Sequence, residues 1–240
     1  MAFYRGPHIV TDGLISCLDA ANVKSYPGSG TTWFDLSNNN RFGTLFNGVS
    51  FNNGVMSLDG LNDYVIISGD GSNNNNAWTA DGSVGSSDIC MEIWFKTTDS
   101  VGLLISKPWN GSGQYNISLT QASFALIDGS GSTSVGFGNT NNGEWRQLVV
   151  WASSSQIGYY INGGETSGVN NHSLTGGIPS AGNATLPMGI GTLYFYGQGW
   201  SGSTSHALEC DVALFRKYNR VLTSDEVLQN FNANKKRFGL

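Results

Sequence analysis

The chain has 240 residues and a formal net charge of −5. This negative balance excludes a general affinity for nucleic acid or anionic membranes, because both are themselves negatively charged. Hydrophobic residues make up 39% of the chain and 33 residues are glycine, a composition too apolar for disorder and typical of short strands joined by tight turns. No apolar run approaches the ~18 residues of a membrane-spanning helix.

In chain order, residues 1–12 are predicted to form an N-terminal arm and residues 13–240 a single domain, since no linker or change in composition divides them. An arm of this kind is either frayed or docked on a partner. Strands are predicted at 14–19, 33–36, 42–49, 55–58 and 64–67. Asn53-Gly54 is the sequence of a tight hairpin turn. The Gly/Ser/Asn-rich stretch 69–87 is predicted to be a loop.

In the second part of the chain, residues 89–96 alternate with a period of two, which predicts a strand with two different faces. Further strands are predicted at 103–106, 115–119, 124–127, 145–151, 157–161, 188–196 and 210–215, with loops at 167–187 and 197–205. A helix is predicted at about 223–237. Thr223 and Glu226 have the spacing of a capping box, and Val227, Leu228 and Phe231 share one face.

Together these elements predict an all-β fold. More than ten short strands separated by turns are typical of two packed antiparallel sheets. The C-terminal helix would bury its apolar face over a sheet edge or an open end of the sandwich.

The three cysteines, Cys17, Cys90 and Cys210, are widely spaced and odd in number. They predict neither a disulfide framework nor a metal knuckle, but buried free thiols of a protein made in a reducing cytoplasm. The first residues lack the apolar segment of a secretory signal, so we expect cytoplasmic synthesis without a cleaved signal peptide.

Seven segments resemble, in matching order, the LamG-like, concanavalin A-like jelly-roll domains. They are 13–22, 32–38, 58–65, 92–96, 144–150, 160–163 and 215–227. The ending 229–239 resembles the form carried by virion proteins of tailed bacteriophages, including phages of marine cyanobacteria. The resemblance implies a jelly-roll sandwich of two antiparallel sheets.

The same resemblance implies a non-enzymatic virion structural protein made in the host cytoplasm, such as a capsid decoration, fibre or tail appendage subunit. Its expected partners are other virion proteins, further copies of itself and a host-surface glycan, and neither nucleic acid nor membrane. A carbohydrate-binding, lectin-like module is the alternative, and a glucanase-like glycosidase is a remote alternative.

The glycosidase alternative depends on one strand. Some jelly-roll relatives are endoglucanases that place Glu-x-Asp-x-Glu on a strand, and Glu209-Cys210-Asp211 begins that pattern. Ala213 and Leu214 stand where the second glutamate should be. A retaining mechanism needs two carboxyl groups about 5 Å apart, so we expect no catalytic residues.

Calcium is the cofactor that the resemblance implies, because LamG-like sandwiches often carry an ion at the rim. The candidate ligands are Asp19, Asp35, Asn38, Asp59 and Asp63, whose oxygen atoms suit Ca²⁺. The alternative, which we favour, is that these short side chains stabilise turns through hydrogen bonds to nearby backbone N–H groups.

Carbohydrate binding would use exposed aromatic faces beside amide groups. Trp78, Trp109 and Trp200 are the candidates, because they lie in predicted loops among Asn, Gly and Gln. The tryptophans predicted to belong to the core are Trp94, Trp145 and Trp151.

Assembly contacts are expected at both ends of the chain. The candidates in the arm are Phe3, Tyr4 and Arg5, and those at the end of the helix are Lys235, Lys236 and Arg237. The second group is equally explained by the preference of cations for a helix C-terminus. We expect deletion of residues 1–12 to weaken assembly and to leave thermal unfolding nearly unchanged.

Overall fold

The computed structural model describes residues 7–39, 41–68, 88–107, 114–128, 130–174, 188–195, 199–201 and 206–240. The strands in these ranges, numbered along the chain, are β1 (Leu14–Asp19), β2 (Thr32–Phe34), β3 (Phe42–Phe46), β4 (Ser50–Asn52), β5 (Val55–Asp59), β6 (Tyr64–Ser68), β7 (Ile89–Lys96), β8 (Leu103–Lys107), β9 (Gln114–Ser118), β10 (Ser123–Asp128), β11 (Gly131–Gly136), β12 (Arg146–Ala152), β13 (Gln156–Ile161), β14 (Thr166–Asn171), β15 (Met188–Ile190), β16 (Leu193–Phe195), β17 (Gly199–Ser201) and β18 (Glu209–Tyr218). One α-helix, α1 (Ser224–Asn234), and 3-10 turns at Asn162–Gly164 and Lys235–Phe238 occur in the same ranges. None of the helices described is long and apolar enough to cross a membrane.

Two antiparallel sheets confirm the predicted jelly-roll sandwich. Sheet A has the order β14-β13-β12-β7-β18-β5-β4, with β1 also paired to β18. Sheet B has the order β11-β10-β9-β8-β15-β6-β3-β2, and β16 and β17 form a separate hairpin. Apolar side chains from the inner faces of both sheets form the main core.

Strand β18 pairs with three other strands of sheet A. Residues 211–218 pair with β7 along one edge. The other edge is shared, because 209–212 pair with β5 and 214–218 pair with β1. The first and last strands of the chain are therefore direct neighbours.

Strand β7 has the two faces that its alternation predicts. Ile89, Met91, Ile93 and Phe95 belong to the main core. Trp94, on the opposite face, stacks on Phe231 of the helix and Phe238 of the turn that follows it, with ring centroids 5.7 and 4.3 Å apart respectively. The helix covers the outer face of sheet A. The expectation that it covers an edge or an open end is wrong, because the even positions of β7 offer a buried aromatic surface on that face.

The predicted capping box is present at the start of α1. The Thr223 hydroxyl accepts a hydrogen bond from the backbone N–H of Glu226, whose carboxylate accepts one from the backbone N–H of Thr223. At the other end, the three basic residues form the 3-10 turn Lys235–Phe238. The helix packs closely on the turn Asn162–Gly164, where a Cβ at Gly163 would lie 2.8 Å from the ring of Phe231. Only glycine permits this approach at the observed φ of 74°.

Two stretches predicted to be loops contain strands. Residues 166–171 form β14, which pairs with β13, and residues 199–201 form β17. Strand β14 lies at the edge of sheet A with almost every side chain exposed. An edge strand of this kind has no buried face, so it shows no hydrophobic period. Its backbone pairing alone makes it a strand.

The cysteines are buried and free, as predicted. Burial raises the pKa of the Cys90 thiol to about 12, and this shift keeps the thiol protonated at neutral pH.

A buried polar network lies between sheet A and the helix. The Glu92 carboxylate, with none of its surface exposed, pairs with Arg216 Nη1 at 3.0 Å. It also accepts hydrogen bonds from the Trp94 indole, the Gln147 amide and the Asn230 amide at 3.0, 2.9 and 2.8 Å. Strands β7, β12 and β18 and helix α1 are thus joined by one carboxylate.

The described part of the N-terminal arm contacts the same buried polar network. The backbone N–H of Val10 donates to the Asn230 side chain at 2.8 Å, and its carbonyl accepts from the Tyr218 hydroxyl at 3.1 Å. The Val10 side chain is buried against Leu222 and Val227. These contacts favour a contribution of this part of the arm to stability, in contrast to the expectation that deletion of residues 1–12 leaves thermal unfolding nearly unchanged.

The first prediction compares a buried and an exposed ion pair. Replacing Glu92 with Ala leaves Arg216 buried without its partner, so we expect the free energy of unfolding to fall by about 3–5 kcal/mol. The matched control is Glu144→Ala, because Glu144 pairs with Arg146 at 3.1 Å and its side chain is 66% exposed. The control should lose about 0–1 kcal/mol. Urea unfolding measures both, and equal losses would contradict the structural role of the network.

The second prediction concerns the arm. Deleting residues 1–12 exposes the apolar surface under Val10 and removes the backbone partners of Asn230 and Tyr218. We expect the free energy of unfolding to fall by about 2–4 kcal/mol. Deleting residues 1–6 alone removes none of the described contacts and serves as the control. A full deletion that melts at the temperature of the intact chain would show that the docked arm adds no stability.

Candidate functional site

The acidic residues at the start of β18 line a cleft of about 340 Å³. Asp211 pairs with Lys96 at 3.0 Å and accepts a hydrogen bond from the Ser57 hydroxyl. Asp59 lies opposite Glu209 in the strand register. One oxygen of the Asp59 carboxylate accepts hydrogen bonds from backbone N–H groups of its own turn, the shortest from Leu61 at 2.8 Å. The Asp211 carboxylate in this cleft is therefore occupied by structural partners.

Three of the predicted calcium ligands lie in the first third of the chain. Asp19 pairs with Arg237 at 2.6 Å and accepts a hydrogen bond from the backbone N–H of Ala21 at 3.0 Å. Asp35 accepts hydrogen bonds from the backbone N–H groups of Cys17 and Ser37 at 2.7 and 2.9 Å. Asn38 has a positive φ of 66°, which is characteristic of a turn. These contacts correspond to the turn-stabilising alternative.

The other two ligands, Asp59 and Asp63, lie in the turn between β5 and β6. Hydrogen bonds from the backbone N–H groups of Leu61 and its neighbours lower the pKa of Asp59. Burial, followed by the nearby Asp59 charge, raises the pKa of Asp63, and one oxygen of this buried carboxylate has no hydrogen-bond partner. Across the described ranges, no group of three or more His, Cys, Asp or Glu side chains is placed to hold a metal ion.

Only one of the three predicted sugar-binding tryptophans lies among the described residues. Trp78 and Trp109 lie outside the described residues. Trp200 lies on β17, opposite Tyr194 of β16. This hairpin follows Thr192, whose carbonyl accepts a hydrogen bond from the Ser106 hydroxyl of β8 at 2.6 Å. The backbone at Trp200 is thereby tethered to sheet B.

The predicted core tryptophans do not share one environment. Trp94 and Trp151 are buried, but Trp151 belongs to the smaller cluster under the helix. Trp145 is half-buried, and its ring lies 4.7 Å from that of Phe238. Packing on sheet A thus uses all three rings, and none of them belongs to the main core.

The predicted assembly residues of the arm, Phe3, Tyr4 and Arg5, also lie outside the described residues. At the other end of the chain, the basic residues contact their own chain. Arg237 donates to Asp19 and to the Gly54 carbonyl, and Lys235 Nζ lies 5.5 Å from the ring centroid of Phe231. The third basic residue, Lys236, is exposed. The basic run therefore anchors the C-terminus largely through Arg237.

The outer face of sheet B, which points away from the core, is built from small and aromatic residues. Strand register places one row of positions across it: Thr32, Thr44, Ile66, Gly189, Ser106, Asn116, Ala125 and Ser134. None of these positions carries a charge. The middle of the row is buried at Ile66, Gly189 and Ser106. The partly or fully exposed positions, Thr32, Thr44, Asn116 and Ser134, can offer hydroxyl and amide groups to a ligand without attracting ions.

Four aromatic residues lie at one end of this face, and we call Phe34, Phe42, Phe46 and Tyr64 the aromatic patch. Phe34 and Phe42 are cross-strand partners on β2 and β3, and Phe46 and Tyr64 are partners on β3 and β6. The rings of Phe46 and Tyr64 stack with centroids 4.9 Å apart and planes inclined by 17°. Phe34 is 47% exposed and Phe46 is 36% exposed. Large aromatic side chains thus remain accessible on an otherwise small-residue face.

Sequence reasoning missed the aromatic patch, although a signal was present. Residues 42–46 read Phe-Gly-Thr-Leu-Phe, and a period of two puts Phe42, Thr44 and Phe46 on one face. Gly43 and Leu45 form the other face, and a Cβ at Gly43 would lie 3.0 Å from Val65. This close packing between Gly43 and Val65 identifies that face as the one that points into the core. The phenylalanines must therefore point outward.

No protein-family model and no curated protein matches the chain. In fold, the chain is similar to solved binding domains of botulinum neurotoxins. The serotype C1 binding domain matches with a TM-score of 0.65 at 16% identity, and the binding domain of neurotoxin DC in complex with SialylT with 0.64 at 12%. A type C structure, described as showing that cell entry depends on interaction with two ganglioside molecules, matches with 0.63 at 14%.

Each of these matches covers 93% of this chain and 52% of the neurotoxin chain. At such low identity the similarity establishes the jelly-roll fold alone. The chain spans about half the length of these binding domains, so the glycan contacts named for them can lie in either half. The virion assignment has no counterpart among these structures and stays a prediction.

The third prediction uses the opposite pKa shifts in the turn between β5 and β6. Because the pKa of Asp59 is lowered in the folded state, its carboxylate adds stability at pH values above the ordinary carboxyl pKa. This stability is lost as the pH falls through the folded-state pKa. The raised pKa of Asp63 has the opposite effect, because the folded state holds that proton more tightly and stability declines as the pH rises through the shifted value.

Asp59→Asn should therefore lower the unfolding free energy at neutral pH more than at acidic pH. Asp63→Asn should change the unfolding free energy in the opposite sense, so that the variant is more stable, relative to the unaltered chain, at neutral pH than at acidic pH. Urea unfolding at several pH values measures both variants against the unaltered chain. Pairing the two variants provides the control, since effects of the same sign would show that burial does not control Asp63.

Proposed function

We propose that this chain is a non-enzymatic glycan-recognition domain. The observation that carries the proposal is the outer face of sheet B, whose small hydroxyl-bearing residues surround the exposed rings of the aromatic patch. Sugar rings present C–H surfaces that pack on aromatic faces and hydroxyl groups that exchange hydrogen bonds with polar side chains. The fold is shared with neurotoxin binding domains, and two of these structures are described with SialylT or gangliosides.

A binding function also agrees with the chemistry of the cleft at Glu209 and Asp211. Catalysis by a pair of carboxyl groups needs one proton donor and one nucleophile or base at a fixed separation. The salt bridge and the hydroxyl contact of Asp211 hold this carboxylate in a structural role. Asp59 is directed to its own turn. The described residues therefore support recognition better than hydrolysis.

We propose a setting for this recognition in the virion of a tailed bacteriophage, with the domain serving host-surface attachment. This part of the proposal rests on the resemblance of segment 229–239, and it includes the expected virion partners and self-association. Peptide mass spectrometry of purified phage particles tests it through the copy number relative to the major capsid protein. Absence from the particles would overturn the setting and leave glycan recognition as a free module.

The fourth prediction is that the purified chain binds glycans. A panel of immobilised neutral and sialylated oligosaccharides should give reproducible binding that a soluble form of the same glycan competes away. Trp78→Ala, Trp109→Ala and Trp200→Ala, tested one at a time, show whether the predicted tryptophans contribute. Heat-denatured protein is the control for non-specific adhesion. No binding to any member of the panel would overturn the proposed function.

A further inference from the structure

We infer that the aromatic patch is the binding platform for an uncharged oligosaccharide that lies along β3. This inference rests on the proposed glycan recognition and adds to it a location, a ligand charge and a ligand length.

The length of the ligand follows from the spacing of the rings. Phe42 and Phe46 are four residues apart on one strand, so the two aromatic pairs are separated by about 13 Å at the usual rise of a β-strand. That distance exceeds the size of one sugar ring. The two pairs can therefore support different units of one extended chain, whereas a monosaccharide would contact only one pair.

Polar groups lie where such a chain would present its hydroxyl groups. Thr32 and Thr44 are cross-strand partners between the two aromatic pairs. Beyond the stacked rings, the Asn47 amide donates to the Asn62 carbonyl at 2.7 Å, which fixes two turns side by side. Both asparagine residues are exposed. The platform thus combines ring faces with hydroxyl and amide groups on a rigid sheet.

The charge distribution selects a neutral ligand. The outer-face positions of β2, β3 and β6 carry no charged residue. The charged residues next to them in sequence are turned inward, since Asp35 binds the backbone N–H of Cys17, and Arg41 and Asp63 are buried. With a net charge of −5 and no cation at the outer-face positions of these three strands, an acidic sugar would meet repulsion without a compensating ion pair from them. A neutral oligosaccharide has no such cost.

Phe34 and Phe46 of the aromatic patch are exposed. Helix α1 and residues 7–12 of the N-terminal arm lie on sheet A, on the opposite side of the sandwich, so neither of these described segments covers the patch. The strands that carry the patch pair in register with their neighbours, so the rings project from fixed backbone positions. A preformed surface of this kind loses little conformational entropy when a ligand binds.

The test uses two exposed rings and an exposed apolar residue remote from them. Phe34→Ala and Phe46→Ala are compared with Leu228→Ala, because Leu228 is 45% exposed and lies on α1. The ligand is the neutral oligosaccharide with the strongest response in the glycan panel, and titration calorimetry measures its affinity. Each patch variant should bind about tenfold more weakly or worse, while the control keeps its affinity.

A second pair of measurements separates ring chemistry from folding. Phe46→Trp keeps an aromatic face and should retain binding, and all variants should melt within a few degrees of the unaltered chain. A sialylated form of the same oligosaccharide should bind more weakly than the neutral form.

The possible failures are distinguishable. If glycan binding is present but unchanged in Phe34→Ala and Phe46→Ala, the aromatic patch is not the platform, although the proposed function survives. Stronger binding of the sialylated form would overturn the neutral-ligand inference. If the chain binds no glycan and the patch variants abolish self-association in sedimentation experiments, the patch is a protein contact and the inference is overturned.

Discussion

The carboxylate of Glu92 is the constraint on which the rest of the structure depends. It accepts hydrogen bonds from β7, β12, β18 and α1, and its charge balances that of Arg216. Burial is the largest single influence on the pKa of Arg216 and lowers it, but the charge and hydrogen bond of Glu92, acting together with Cys17 and Tyr218, raise this pKa overall. Asn230 links the same carboxylate to Tyr218 and Val10. A buried ion pair adds little net stability, but its directional contacts specify one register for the helix and the arm.

The two outer faces of the sandwich differ, because the buried network lies on only one of them. The outer face of sheet A presents Trp94, Trp151 and the buried network, and it is covered by the chain's own ends. The outer face of sheet B carries small polar residues and the exposed rings of the aromatic patch. Burying the first face completes the fold, and the second is the face on which we propose glycan binding. On this proposal, stability and recognition lie on opposite sides of the sandwich.

The sequence predicts the fold well because two local signals are strong. The alternation in 89–96 and the capping box at Thr223 depend on near neighbours, and both are confirmed. Strand β14 is not predicted from the sequence, because its exposed side chains have no hydrophobic alternation and only its backbone pairing with β13 makes it a strand. The position of the helix depends on Trp94, far away in sequence. The candidate site was predicted least well, since the aromatic patch exists only when β2, β3 and β6 are side by side.

The place of β18 in the chain has a consequence for biosynthesis. This strand pairs with β1, β5 and β7 of sheet A, but its residues leave the ribosome after those of all three. Until then β1, β5 and β7 have no common partner, and their edges are open to pairing with other chains. Sheet A can therefore be completed only after β18 has been translated. Folding is dominated by contacts between distant parts of the chain, a condition under which chains fold slowly and need protection from aggregation while they wait.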